Sequence, residues 1–206
     1  MNFVVREFKK LIEEVKQEQL NENIYKCPDY GTIVPKMGQI EKVENLFFEN
    51  PSKEFYLREI SKMTNVPKTT VQRILMRLKD KELITKLKVK PYSKYRANTE
   101  NFYYLYYKKI NIMEKIYKSV LIDYLIEKCN PSVIILFGSC AKGEYDIKSD
   151  IDLFLGANEN KLDLDEYEKK LKHKINITFK QNLGDLNTEL RNNIINGEKL
   201  YGFVRI

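Results

Sequence analysis

Two aspartates, Asp150 and Asp152, stand two apart in the run SDIDLFLG, framed by Ile151, Leu153, Phe154 and Leu155. Alternation along an extended strand puts both carboxylates on one face and Ile151 and Leu153 on the other. Carboxylates roughly 6–7 Å apart along a strand repel each other, and apolar surroundings raise the cost of keeping both charged. A divalent cation between them removes that conflict. Hard oxygen ligands suit Mg²⁺, which takes one or two carboxylates and completes its shell with substrate phosphates. Just upstream, the apolar run SVIILFGS ends in Gly138 and Ser139. A glycine there lets the backbone turn sharply and approach a ligand, and Ser139 with the following amides forms an anion site at a helix start. One loop thus offers phosphate-binding groups and the next strand offers metal-binding groups. Together they would hold a metal-bound nucleoside triphosphate for in-line displacement.

The pattern Gly138, Ser139, Gly143, Ser149, Asp150, Asp152, set in its hydrophobic frame, resembles the hallmark of the polymerase-β-type nucleotidyltransferase superfamily, in particular its minimal members. The likeness spans about residues 117–206. It implies that Gly138, Ser139, Lys142 and Ser149 serve the triphosphate, and that Asp150 and Asp152 ligate one or two Mg²⁺. It also implies transfer of a nucleoside monophosphate, AMP from ATP first among them, to an acceptor such as a partner protein. Active members carry a third carboxylate on a later strand. In the corresponding run, KINITFK, Ile175, Ile177 and Phe179 face one way while Asn176 and Thr178 face the other, so Asn176 takes the acidic position. An amide ligates a cation weakly and accepts no proton at neutral pH. Asp185 and Glu189 are acids that could substitute if the fold brought them close. Two readings follow: a transferase, or a regulator whose degenerate transferase domain binds nucleotide or a partner without turnover.

The elements that must position these residues follow from pattern. SVIILFGS and SDIDLFLG read as buried strands, with a helical turn starting CAKGEYD between them. LDLDEYEKKLKHK reads as a helix whose charges run acidic to basic along the macrodipole. LNTELRNNIINGEKLYG reads as a last helix with Leu190, Ile194 and Ile195 inward. His173, the only histidine, has no Cys or His neighbour and reads as a packing or surface residue.

Upstream, QIEKVENLFFENP sets Ile40, Val43, Leu46 and Phe47 on one helical face. YLREISKMTNV is periodic through Leu57, Ile60 and Met63. KTTVQRILMRLKDKELI turns Val71, Ile74, Leu75 and Leu78 inward, with Pro67 at a first-turn position that tolerates it. LITKLKVKPYSKYRAN alternates apolar and basic residues about Pro-Tyr-Ser, a hairpin pattern. Three short helices followed by a basic hairpin resemble a winged helix-turn-helix, and TNVPKTTVQRIL resembles its turn and recognition helix. Lys68, Thr69, Thr70, Gln72 and Arg73 point away from the apolar face and offer donors to phosphates and base edges. Lys86, Lys88, Lys90, Lys94 and Arg96 furnish the wing for phosphate contact. From Lys62 to Arg96 there are eleven Lys and Arg against two acids, a balance of +9, whereas the chain from Asn130 onward balances at −1. That asymmetry fits double-stranded DNA as partner of the first part, or a solvated lysine-rich surface.

TENFYYLYYKKINIMEKIYKSVLIDYLIEKC predicts one long helix or two shorter ones, with Thr99 as cap. Its tyrosines (Tyr103, Tyr104, Tyr106, Tyr107) fit packing or a dimer contact better than a nucleic-acid platform. The 206 residues, 43% hydrophobic and 12% aromatic, are enough for packed cores and exclude a disordered chain. Apolar runs fall well short of the roughly 20 residues of a membrane span. The charged start is no secretory signal, so a cytoplasmic protein is expected. Cys27, Cys129 and Cys140 are odd in number and lack a CxxC, which suggests neither a disulfide framework nor a zinc site. The expected fold is α+β: an N-terminal helix and extended arm (1–38), a winged helix-turn-helix (39–98), a helical linker (99–129), and a nucleotidyltransferase-like mixed sheet flanked by helices (130–206). Winged helices commonly pair on half-sites, so a homodimer is expected.

Overall fold

The computed structural model describes residues 35–204. The N-terminal helix and most of the arm predicted for 1–38 lie outside them. Helix α1 (Met37–Glu49) buries Val43, Phe47 and Phe48, with Ile40 and Leu46 packed alongside. A two-residue strand β1 (Phe55–Tyr56) leads into α2 (Leu57–Thr64). Here one inward residue differs from expectation. Met63 is 55% exposed, and Thr64 turns inward instead, its hydroxyl satisfied by the Ile60 carbonyl at 2.7 Å. Asn65 ends α2 in the left-handed region at φ 54°, a conformation asparagine tolerates. The turn is held by Ser61 Oγ donating to the Val66 carbonyl at 2.7 Å. Helix α3 (Lys68–Asp80) follows, with Val71, Ile74, Leu75 and Leu78 buried as the spacing predicts.

Strands β2 (Ile84–Leu87) and β3 (Lys94–Ala97) form the expected hairpin, and β1 adds to its edge in the order β1-β3-β2. Ile84 pairs with Ala97 and both are buried, which fixes the register. Beyond the wing, helix α4 (Phe102–Lys118) is capped by Asn101, whose side chain accepts from the Tyr103 amide at 2.7 Å. Thr99, the cap read from sequence, lies outside that helix start. A break at Ser119–Val120, with Val120 at φ 67°, separates α4 from α5 (Leu121–Cys129), so the region is two helices.

The second sheet contains β4 (Val133–Phe137), β5 (Ile151–Leu155), β6 (Ile175–Phe179) and β7 (Glu198–Gly202), in the order β6-β5-β4-β7. β4 is antiparallel to β5 and β7, while β5 and β6 run parallel, so the sheet is mixed. Between these strands lie α6 (Gly138–Lys142), α7 (Asp165–Leu171) and α8 (Thr188–Ile195). One sheet face carries Val133, Ile135, Phe137 and Phe154 under Leu183, Leu186, Leu190 and Ile194. Ile195, expected inward, is 54% exposed. The other face, with Ile134, Leu136, Ile151, Leu153 and Leu155, is wholly buried, and α4 packs against α5 and α6. The architecture is α+β, as expected.

Candidate functional site: the Gly-Ser loop, paired aspartates and basic wing

Asp152 lies one residue into β5, opposite Phe137, the last residue of β4. Chain direction reverses just there into Gly138, which has φ 72°. A Cβ on Gly138 would lie 2.5 Å from Asp152 Oδ2. Glycine is therefore required twice, by the backbone angle and by the carboxylate against it. Ser139 follows Gly138 in the first turn of α6, and Lys142 ends α6 exposed to solvent. Burial shifts the Asp152 carboxyl above its usual range; the Asn176 amide opposes the shift and the Asp150 charge adds to it.

Asp150 precedes β5 and is exposed. Its backbone is held from several sides. Cys140 Sγ donates to the Asp150 carbonyl at 3.4 Å. The Ile151 amide donates to the Lys174 carbonyl at 2.8 Å. The preceding turn is closed by Asp146, whose amide donates to Ser149 Oγ at 2.9 Å and whose carboxylate accepts from Ser149 Oγ and the Lys148 amide. Ser149 thus has its hydroxyl engaged within this turn. Burial pushes the Cys140 thiol up to about 12, leaving it an inert packing group.

β6 brings Asn176 into register with Asp152. Asn176 Nδ2 donates to Asp150 Oδ2 and to Asp152 Oδ1, each at 3.2 Å. The strand alternation read from sequence places it there, at the third position of the constellation. Among the described residues, no third acid, histidine or cysteine joins the two aspartates, so Asp185 and Glu189 do not substitute. The donor set still fits Mg²⁺: two hard carboxylates converge on one amide, beside a glycine whose missing Cβ leaves room. A cleft of about 670 Å³ opens at the opposite strand ends, lined by Asn130, Phe154, Asn158, Gln181 and Leu183 among others. It holds none of the predicted site residues.

A second set of groups, not found from sequence, surrounds this loop. Lys108 of α4 is buried, donates to the Tyr145 carbonyl, and lies 5.7 and 4.5 Å from the Tyr104 and Tyr145 ring centres. Burial pulls its amine down to about 8. Gly143, at φ 75°, packs so closely on the Leu105 carbonyl that no Cβ fits. His173 is buried between Ser149 and Glu49: Nδ1 lies 2.7 Å from the Ser149 carbonyl and Nε2 lies 3.1 Å from Glu49 Oε2. Burial disfavours the imidazolium, but the Glu49 and Ser149 acceptors outweigh it and hold its pKa above the usual value. In the imidazolium form both ring nitrogens donate. A packing or surface residue was the sequence expectation for His173; its partner Glu49 lies 124 positions away and left no local trace.

On the first domain, Lys68, Thr69 and Gln72 are exposed at the start of α3, and Thr70 and Arg73 are half-buried. Pairing splits the wing charges between two faces. Lys86 opposes Tyr95 on one side, while Lys94 and Arg96 oppose Leu87 and Thr85 on the other. Lys94 is also ion-paired with Glu54 at 3.1 Å, so part of its charge is already met. Lys88 and Lys90, beyond β2, are exposed.

Residues 119–202 match the family model described as polymerase beta, nucleotidyltransferase, and residues 52–99 match sugar-specific transcriptional regulator TrmB. Neither the curated proteins nor the solved structures gave a match to this chain. Among the described residues, no helix is long and apolar enough to cross a membrane. The two matched segments follow each other in the order in which the chain builds its two sheets, and the chain therefore joins a TrmB-type winged-helix, DNA-binding regulator domain to a polymerase-β-type nucleotidyltransferase domain.

Proposed function

We propose that the chain is a cytoplasmic Mg²⁺-dependent nucleotidyltransferase that moves AMP from ATP to a partner protein and binds double-stranded DNA as a homodimer. The convergence of Asp150 and Asp152 beside Gly138 carries this reading. Bound Mg²⁺ would neutralise triphosphate charge and align the leaving pyrophosphate. Asp150 and Asp152 would hold that ion, while Gly138, Ser139 and Lys142 would receive phosphate oxygens. Ser149 would act on phosphate only by leaving its turn with Asp146. For DNA, Lys68, Thr69, Thr70, Gln72 and Arg73 would approach the groove. Lys86, Lys88, Lys90 and Arg96 would meet phosphates, with Lys94 a lesser contributor because Glu54 already pairs it.

Asn176 favours a second reading, a nucleotide-binding regulator without turnover, because its amide cannot take the acceptor proton. Labelled ATP with Mg²⁺ separates the two. Label on an acceptor, abolished by Asp150→Ala, is the expected result for the transferase. Nucleotide binding without transfer, with transfer appearing in Asn176→Asp, would establish the second reading.

A further inference from the structure

We infer that Glu49, a residue of the winged-helix domain, positions the aspartate pair of the nucleotidyltransferase domain by way of His173. This rests on Asp150 and Asp152 holding a metal. Glu49 is the last residue of α1, and it reaches the Asp146–Asp150 segment once directly and once through His173. Its carbonyl accepts from the Ile147 amide at 2.9 Å. Its carboxylate receives His173 Nε2 at 3.1 Å, and the far side of that ring holds the Ser149 carbonyl at 2.7 Å. Ser149 is bonded to Asp150, so an acceptor on the first domain fixes the peptide from which a proposed metal ligand springs. Lys115 of α4, 2.6 Å from Glu49 Oε1, orients the carboxylate from the other side. His173 has no exposed side-chain surface, and Glu49 keeps 16%. Water is thus poorly placed to replace either partner.

The chain needs this prop because Asp150 itself is exposed, and the only side chain bonded to its carboxylate is the Asn176 amide, among the described residues. Where three carboxylates would fix one another around an ion, two depend more on their backbones. Removing groups that orient a metal ligand commonly weakens metal affinity by roughly 10–100-fold. Glu49 and His173 are positioning residues in this sense and touch neither phosphate nor metal.

The test is a Mn²⁺ titration of the full-length protein, read by electron paramagnetic resonance, beside urea unfolding of each variant. Wild type should bind Mn²⁺, and Asp152→Ala should not. Glu49→Ala should bind roughly tenfold more weakly while still folded. Glu49→Gln, whose amide oxygen still accepts from Nε2–H, should recover most of that loss. Tyr117→Phe removes a hydroxyl that donates to the Leu200 carbonyl at 2.9 Å. It should lower stability and leave Mn²⁺ affinity unchanged. Equal affinity in wild type and Glu49→Ala overturns the inference while leaving the metal reading intact. Absence of Mn²⁺ binding by wild type overturns the metal reading, and the inference with it. Equal weakening in Tyr117→Phe would also overturn it, since affinity would then follow stability alone.

Discussion

Gly138 shows how one residue can serve conformation and chemistry at once. Its φ of 72° is a region where an L side chain costs about 1–2 kcal/mol, and the Cβ of an alanine would press on Asp152 Oδ2. Gly138→Ala should therefore lower unfolding free energy by about 1–2 kcal/mol and weaken Mn²⁺ binding, because Asp152 must rotate from its place beside Asn176. Urea denaturation and a metal titration on the same sample check both parts. The convergence of Gly138, Asp150 and Asp152 was legible in the sequence because the Gly-Ser turn and the strand alternation place them together. Asn176 was legible because alternation is rigid: once Ile175 is buried, the next side chain must face the aspartates. Glu49 was not legible. A glutamate at a helix end has many ordinary uses, and only folding shows that its partner is His173.

Among the elements, those with strong apolar periodicity were read correctly: α1, α3, the wing hairpin, and β4 to β6. The misses share a cause. β1 has two residues and β7 reads EKLYG, so neither shows a pattern that periodicity can detect; they form because β3 and β4 offer edges to pair with. Met63 and Ile195 were placed inward by spacing, yet both lie in the last turn of short helices, where the chain is already leaving the surface it packs on. The start of α4 turns on a similar local choice. Asn101 caps it through a 2.7 Å bond to the Tyr103 amide, whereas Thr99 lies two residues too early. Asn101→Ala should cost about 1 kcal/mol of stability, the usual loss for a removed cap, and Thr99→Ala should be close to neutral. Chemical unfolding of the two variants side by side decides between the caps.

Across the molecule, Glu49 links the two domains through its bonds to His173 and Lys115. Burial opposes ionisation of Glu49, but its bonds to His173 and Lys115 hold the carboxyl below the ordinary 4.5. His173 titrates above the ordinary 6.5. The folded state binds the His173 proton more tightly than the unfolded chain does, so its contribution is complete below about pH 6.5 and declines as pH rises through the raised value. Glu49 contributes fully above pH 4.5, a contribution lost as pH falls through its lowered value. Thermal stability should therefore be greatest between these limits and fall as pH rises above 6.5 through the raised His173 value. Differential scanning calorimetry should show that fall reduced in Glu49→Gln, which removes the charge that holds the proton. The sequence divides elsewhere. The nucleotidyltransferase match begins at residue 119, at the break where Val120 takes its left-handed angle. Yet Leu105, Lys108 and Glu49, all before that point, pack on the loop and turn that carry the site. What is recognisable as a heritable module is thus smaller than what stands as a mechanical one. A recombination or truncation that cuts at residue 119 would inherit every residue of the motif and leave behind the supports on which it rests.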